Sequence, residues 1–221
     1  MADIKVKDLY TLSETMAAPL LESVEYPWEA LPKIKEFILE LGKTLPSDEY
    51  DKKGEDIWIH KTAKVHASAS ISGPCIIGPE TEVRPSAFVR GSALVGAGCV
   101  VGNSTELKNV ILFNKVQVPH YNYVGDSILG FKAHMGAGSI TSNVKSDKQL
   151  VVVHNQGTDI ETGLKKFGAM LGDNVEVGCN SVLNPGTVIC KESNVYPTSC
   201  VRGVIPAKSI HKNNGEVVLK K

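Results

Sequence analysis

A six-residue repeat constrains the fold of this chain more than any other feature of its sequence. From residue 59 to residue 107, every sixth position is occupied by Val, Ile or Leu. These positions are Ile59, Val65, Ile71, Ile77, Val83, Val89, Val95, Val101 and Leu107. With such residues at about a quarter of positions, an unbroken run of this length has odds of roughly a few in a million. The repeat is therefore a structural property of the chain.

A period of six fits neither an α-helix nor an isolated alternating strand, but it fits a parallel β-helix. Three six-residue segments make one triangular coil of about 18 residues, and their aliphatic side chains stack inside at roughly the 4.8 Å strand spacing. The fourth residue after each aliphatic is small or β-branched, and Cys75 and Cys99 are two of these. We interpret both cysteines as core residues. The period alone leaves the handedness of the coil open.

The repeat resumes after an irregular middle section. The second run consists of Leu171, Val177, Leu183, Ile189, Val195 and Val201. Between the two runs the period is broken around Val118, Val124, Leu129 and Met135, as expected where a corner is shortened or a loop leaves the coil. We therefore predict an all-β domain at residues 51–207 with an excursion at residues 144–169.

The two ends of the chain differ from the repeat. Helical spacing is found at Leu31, Ile34, Ile38 and Leu41, and Gly42 follows as a stop signal. We predict that residues 1–50 form a short helical segment that covers an edge of the β-helix. Residues 208–221 are predicted to form a strand or an extended tail.

Composition narrows the class of protein. The 221 residues carry 24 Lys and Arg against 24 Asp and Glu, so we do not expect a nucleic-acid partner. No apolar run approaches the roughly 20 residues that span a bilayer, and the first ten residues lack the apolar stretch of a signal peptide. We expect a cytoplasmic protein without a membrane partner. The 5 cysteines form no CxxC pair and argue against a disulfide framework.

Two cations are predicted to share one face of the β-helix. Arg90 and Lys108 are separated by one 18-residue coil, so they should stand one above the other. Stacked cations repel unless an anion lies between or beside them, which indicates a phosphate or carboxylate site. The alternative is a pair of solvated surface cations. Arg84 lies one further hexad from Lys108, and we therefore expect it on another face.

Two segments within the irregular section concentrate polar residues. Residues 118–126 read VPHYNYVGD and contain His120, and histidine is the side chain best suited to act as a base near neutral pH. Residues 135–143 read MGAGSITSN, where two glycines allow a ligand to approach the main chain. A basic cluster within the excursion comprises Lys145, Lys148, Lys165 and Lys166. These lysines could close over phosphate groups, with Lys165 and Lys166 as cofactor contacts, or form a solvated loop.

These motifs carry a resemblance to a known family. The segments VRGSALVGAGCVVGNSTELK, VPHYNYVGDSILG and HMGAGSITSN resemble the acetyltransferase domain of the bifunctional N-acetylglucosamine-1-phosphate uridylyltransferase/glucosamine-1-phosphate acetyltransferases. Downstream motifs are more similar to archaeal-type sugar-1-phosphate nucleotidylyltransferases with an acetyltransferase tail. The resemblance implies a left-handed β-helix, a homotrimer, acetyl-CoA as acyl donor and an amino-sugar phosphate or nucleotide sugar as acceptor. It also implies a place in nucleotide-sugar metabolism for cell-envelope precursors.

The resemblance also implies roles for single residues. His120 resembles the family's general base, and Ala137 matches a main-chain contact to the acyl group or CoA. Contacts to the sugar phosphate are implied at Arg90, Glu106, Lys108, Tyr123, Asn143 and Lys148, with Arg90 chosen over Arg84 by register. His120 can accept the proton of an attacking amine while an N–H near Ala137 faces the thioester oxyanion.

The chain departs from the family pattern in three ways. His134 stands where the family usually has Asn, and Val144 replaces an aromatic residue of the bacterial members. The excursion at 144–169 is also longer than in those members. No glycine-rich nucleotide loop precedes residue 50, so we do not expect the diphosphate-forming activity.

Two other functions remain open. The chain could be a non-catalytic trimeric module that regulates or assembles a separate sugar nucleotidyltransferase through residues 1–50. A zinc hydratase shares this type of fold, but His60 and His66 are six residues apart and should lie on different faces. We therefore expect no metal. We also predict that the apolar run Val110 to Phe113 is exposed on the single chain and buried in the homotrimer.

Overall fold

The structure is a computed structural model that describes residues 2–220. The repeat region winds into a triangular parallel β-helix, in which each strand pairs with the equivalent strands of the coils below and above. The predicted all-β fold, a left-handed parallel β-helix with a helical N-terminal segment, is confirmed. Within the described residues, none of the helices has both the length and the apolar character needed to cross a membrane.

The β-helix has three faces, which we name the covered face, the His134 face and the Tyr123 face. The covered face consists of Ile57–His60, Cys75–Ile77, Ala93–Val95, the second halves of Glu106–Leu112 and Tyr123–Leu129, Ala169–Leu171, Thr187–Ile189 and Val204–Ile205. The His134 face consists of Lys64–Val65, Glu82–Val83, Val100–Asn103, Gln117–His120, His134–Met135, Glu176–Val177, Asn194–Val195 and Ser209–His211. The Tyr123 face consists of Ser70–Ile71, Phe88–Val89, the first halves of Glu106–Leu112 and Tyr123–Leu129, Ile140–Thr141, Val182–Leu183 and Cys200–Val201.

The remaining elements lie outside these coils. Antiparallel strands are found at Tyr50–Gly54 against Ile57–His60, at Val152–Asn155 against Thr158–Glu161, and at Val217–Leu219 against Ser209–His211. The α-helices are Val6–Leu9, Ala18–Glu22 and Ile34–Thr44, and two 3₁₀ helices occupy Leu12–Glu14 and Pro27–Lys33.

The repeated aliphatic residues stack inside the prism as the period predicts. Val89, Val101 and Leu107 are fully buried, whereas Val65 in the first coil is 36% exposed because fewer residues cover it. Cys75 and Cys99 also lie in this interior, and burial raises the pKa of both thiols to about 12. Both cysteines are therefore inert packing residues at neutral pH.

The irregular section of the repeat contains two shortened coils. Leu112 pairs with Val95 below it and with Leu129 above it, so both of these coils are 17 residues long. The missing residue is lost both times at the corner between the Tyr123 face and the covered face, where a single strand runs through the bend. Asn109 and Asp126 form these tight corners with φ of 55° and 47°, in the left-handed region that Asn and Asp tolerate best among side-chain-bearing residues.

The covered face is apolar on its outer side as well as its inner side. Paired outer positions form a column of Trp58, Ile76, Leu94, Ile111, Ile128, Met170, Val188 and Val204. The N-terminal segment packs on this face: Tyr10 contacts Phe113 at 5.0 Å and Trp28 contacts Phe167 at 5.7 Å between ring centroids. The outer column is therefore a second hydrophobic core, shared between residues 6–44 and the β-helix.

The prediction that residues 110–113 are exposed on a single chain is wrong. All four side chains are fully buried. Val110 and Leu112 point into the prism interior, while Ile111 and Phe113 are covered by the N-terminal segment. Hence this run supplies no argument for association between chains.

The excursion leaves the coil after Asn143 and returns at Phe167, whose N–H donates to the Asn143 carbonyl at 3.0 Å. Its hairpin is docked rather than free, because Val151 and Val153 are fully buried. The amide of Asn155 exchanges two hydrogen bonds with the main chain of Ala2 at 3.2 and 2.9 Å. The base of the excursion thus lies at the same corner as the two shortened coils.

Candidate active site

The shortened corners bring side chains from three successive coils to one buried carboxylate. Asp126, whose side chain is 5% exposed, accepts hydrogen bonds from the Lys108 ammonium group at 3.1 and 3.2 Å. The Asn109 amide donates to the same carboxylate at 2.9 Å and the Asn143 amide at 2.5 Å. Because every donor has a fixed partner, Lys108 is held in one position on the Tyr123 face.

Tyr123 joins this cluster through Asn143, whose amide also donates to the Tyr123 hydroxyl at 3.2 Å. The ring lies against Gly125, where a Cβ would be 2.5 Å from the hydroxyl oxygen, so a side chain at this position would displace the Tyr123 ring. Burial, with the nearby charges of Asp126 and Glu106, raises the pKa of Tyr123. The phenol therefore stays protonated at neutral pH and can donate a hydrogen bond to a ligand.

Arg90 lies one coil below Lys108, as the register argument predicts. Its N–H donates to the Leu107 carbonyl at 2.9 Å, and Leu107 pairs with Val89. The two cations are not free, however. The Arg90 guanidinium contacts Glu106 at 2.7 Å, and this hydrogen bond and the Glu106 charge raise the pKa of Arg90. Protein carboxylates therefore occupy the anion positions beside both cations.

The two ion pairs differ in strength. The Arg90–Glu106 pair is exposed, and screening by solvent leaves such pairs weak. A phosphate can therefore displace Glu106 from Arg90 at little cost, whereas Lys108 stays fixed on the buried Asp126. Arg84 lies beyond the strand Glu82–Val83 of the His134 face and pairs with Glu82 at 3.2 Å. It is thus on a different face from Lys108, as the spacing predicts.

His120 occupies the corner between the His134 face and the Tyr123 face. It ends the strand Gln117–His120 and is exposed, while Tyr123 begins the next strand three residues later. The main-chain N–H of His120 donates to the side-chain oxygen of Asn122 at 3.1 Å. The buried Asn122 amide in turn donates to the Gly136 and Ser139 carbonyls at 2.8 and 3.0 Å. This corner is therefore rigid, although the ring of His120 is open to solvent.

Ala137 stands directly above His120 in the next coil. Gln117 pairs with His134, so the same register sets His120 level with Ala137, and the N–H of the following residue, Gly138, donates to the His120 carbonyl at 3.0 Å. The predicted general base and the predicted main-chain contact are thus neighbours. Both lie at the corner where the Tyr123 face begins.

The lysines of the excursion are less closely associated with the cluster. Lys148 lies in an exposed turn, where its N–H donates to the Lys145 carbonyl, and no contact within residues 2–220 joins it to Tyr123 or Asn143. Lys165 and Lys166 are exposed and immediately precede Phe167, the residue hydrogen-bonded to Asn143. The main chain of Lys165 and Lys166 therefore leads into the corner that holds the cluster around Asp126.

Sequence reasoning missed three residues that organise the site. Asp126 and Asn109 carry polar side chains at the shortened corners, and the break in the period was the signal that could have found them. Asn122 occupies the interior position that is small in other hexads, four residues after Val118. A buried amide at that position indicates a hydrogen-bonding role.

The described part of the chain holds no group of three or more His, Cys, Asp or Glu side chains placed to bind a metal ion. His60 and His66 are occupied locally, with Nδ1 at 2.9 Å from the Thr62 and Ser68 hydroxyls respectively.

We predict that Asp126→Asn destabilises the protein by about 1–3 kcal/mol, because it leaves the largely buried Lys108 without its counter-charge. The matched control is Asp147→Asn, which removes the exposed partner of Lys145 and should leave the free energy of unfolding almost unchanged. Urea denaturation measures both. Equal stability of the two variants would show that the buried ion pair does not hold the corner.

Comparison with known proteins supports the sequence resemblance. A family described as the GMPPB C-terminal domain matches residues 71–156. The bifunctional protein GlmU of Methanococcus vannielii is 34% identical over 119 residues, which cover 54% of this chain and 28% of that protein. The bifunctional sugar-1-phosphate nucleotidylyltransferase/acetyltransferase of Sulfurisphaera tokodaii is 34% identical over 98 residues, covering 44% of this chain and 24% of that protein. The aligned part thus spans less than a third of these relatives.

Solved structures that the chain matches include the acetyltransferase domain of PglB from Neisseria gonorrhoeae in complex with acetyl coenzyme A. It has a TM-score of 0.35 and 14% identity, and covers 72% of this chain and 55% of that one. A mutant of AntD, an N-acyltransferase from Bacillus cereus, has a TM-score of 0.39 and 14% identity, with 75% and 81% covered. The sequence matches identify the chain as similar to GlmU and to the archaeal sugar-1-phosphate nucleotidylyltransferase/acetyltransferases, which confirms the predicted resemblance.

Proposed function

We propose that this protein transfers an acetyl group from acetyl-CoA to an amino-sugar phosphate or a nucleotide sugar, with His120 as general base. The observation that carries the proposal is the position of His120. It lies directly below Ala137, at the corner where the face that carries Tyr123, Lys108 and Arg90 begins. A base, a main-chain donor and two cations thus border one open face. The sequence similarity to GlmU supports the same chemistry.

In this mechanism His120 accepts the proton of the acceptor amine as its nitrogen attacks the thioester carbonyl. A main-chain N–H near Ala137 donates to the oxyanion of the tetrahedral intermediate, which then expels the thiolate of CoA. The proton held by His120 returns to the leaving sulfur. Asn122 contributes by fixing the His120 main chain, so the base needs little reorganisation.

The acceptor phosphate binds beside Arg90 and Lys108 in this proposal, and Glu106, Tyr123 and Asn143 contact the sugar. The weak Arg90–Glu106 pair opens to admit the phosphate, which frees Glu106 to accept sugar hydroxyls. The exposed lysines Lys148, Lys165 and Lys166 are assigned to phosphate groups of the donor or acceptor. Arg84 has no part in the site.

We also propose a homotrimer, in which the site lies in the cleft between neighbouring chains. The support is the uncovered Tyr123 face, where Phe88 is 41% exposed and Tyr121 at its corner is 63% exposed. Light scattering at micromolar concentration should give the mass of three chains. Phe88→Glu should shift the mass towards one chain, while the control Leu150→Glu on the exposed excursion leaves it unchanged. A monomeric unmodified protein would contradict the proposal.

The alternative function, a non-catalytic module that holds a separate nucleotidyltransferase through residues 1–50, is less well supported. The apolar side chains of this segment are already buried or partly buried within the same chain. A partner would have to use the surface that remains exposed.

The proposal is tested by release of free thiol from acetyl-CoA with a panel of amino-sugar 1-phosphates and nucleotide amino sugars. We expect His120→Ala to lower kcat by roughly 10²–10⁴-fold, the usual contribution of a general base, while the fold is retained. The control is His66→Ala, an exposed histidine that caps a hexad corner in the first coil.

His66→Ala should turn over at the unmodified rate. Near-normal turnover by His120→Ala on a confirmed acceptor would show that His120 is structural. Absence of thiol release with every acceptor would favour the non-catalytic module.

A further inference from the structure

A second pair of stacked lysines lies at the corner between the covered face and the His134 face, away from the candidate active site. Lys115 and Lys132 occupy equivalent corner positions with φ of 61° and 57°. The Lys132 N–H donates to the Asn114 carbonyl at 3.1 Å, so the two lysines belong to adjacent coils, about 4.8 Å apart.

This pair differs from Arg90 and Lys108 in having no protein counter-charge. Within residues 2–220, neither ammonium group lies within 4 Å of a carboxylate. Both lie over the Phe131 ring instead, at 5.7 Å for Lys115 and 5.1 Å for Lys132. The ring face attracts each cation but neutralises neither.

The aromatic ring that gathers the lysines is itself held in place. The Phe131 N–H donates to the buried Asp173 carboxylate at 2.9 Å. That carboxylate is already neutralised by Lys191 at 3.3 Å, and it also accepts hydrogen bonds from Thr11. Asp173 therefore fixes Phe131 without serving as a counter-ion for Lys115 or Lys132.

The lysines border a cleft of about 560 Å³ on the His134 face, which is also lined by Gln117, His134 and Glu176. Nδ1 of His134 lies 2.8 Å from the Glu176 carboxylate. Since Glu176 engages Nδ1, Nε2 is the ring atom left for a ligand. The cleft thus combines two uncompensated ammonium groups with an oriented imidazole and an amide.

We propose that this cleft is a binding site for the phosphate or diphosphate group of a small molecule. Two like charges held at strand spacing repel each other, and a multiply charged anion between them turns this repulsion into attraction. Phosphate oxygens accept hydrogen bonds from both ammonium groups. The lining includes one carboxylate, Glu176, against the two ammonium groups, so the cleft remains net positive.

Binding of inorganic pyrophosphate to the full chain, measured by isothermal titration calorimetry at low ionic strength, tests the site. We expect the double variant Lys115→Ala/Lys132→Ala to bind at least about tenfold more weakly, because two charge-assisted contacts are lost. Both side chains are exposed, so the variant should fold. The control Lys64→Ala removes an exposed lysine of the same face, next to Glu82, and should change binding less than about twofold.

The same titration with coenzyme A and with a hexose 1-phosphate identifies the source of the phosphate. A loss of affinity in the double variant for coenzyme A alone assigns the cleft to the acyl donor, and a loss for the sugar phosphate alone assigns it to the acceptor. Failure of the unmodified chain to bind pyrophosphate, unchanged binding by the double variant, or equal weakening by Lys64→Ala would overturn the site. Because no acyl group is transferred in these titrations, that outcome would leave the proposed acyl transfer untouched.

Discussion

The vertical stacking of buried aliphatic side chains sets the position of every outer residue. Each interior Val, Ile or Leu fixes the register of its coil against the next one, so a residue's face follows from its distance to the nearest stacked aliphatic. The last coil, in which Val188 pairs with Val204, is shortened to 16 residues, and three earlier departures from this rule occur at one corner of the prism, namely two missing residues and the inserted excursion. They allow side chains of three successive coils to converge on Asp126. The irregularity of the repeat, rather than the repeat itself, marks the candidate active site.

The three faces are used differently. The covered face carries an apolar outer column and is buried by residues 6–44 of the same chain. The Tyr123 face is uncovered, and its two stacked cations are neutralised by one exposed and one buried carboxylate. The His134 face is also uncovered, but its stacked lysines have only an aromatic ring as partner. We therefore expect small anions to bind on both uncovered faces. The free energy of binding should differ, because an anion must replace a carboxylate partner only on the Tyr123 face.

Much of this organisation could be predicted from the sequence because the repeat is local. Six-residue counting placed Arg90 below Lys108 and Arg84 on another face, and the broken period around Val118 indicated a shortened corner or an extruded loop. The prediction for residues 110–113 was wrong, because the segment that covers Ile111 and Phe113 lies about a hundred residues away in the chain and no local pattern reports the contact. Sequence reasoning also missed the carboxylate that pairs with Lys108. Asp126 comes close to Lys108 only because two corners are each one residue shorter than in a regular coil.

Hydrogen–deuterium exchange can show whether small molecules bind at the edge of the Tyr123 face. When acetyl-CoA and glucosamine 1-phosphate are added together, we predict slower exchange of the corner amides at residues 120–122 and 136–138, which border His120 and Ala137. Amides of the covered face, already shielded by the N-terminal segment, should not change. Slower exchange confined to other parts of the chain, or no change at any corner at saturating ligand, would show that these ligands do not bind beside His120 and Ala137.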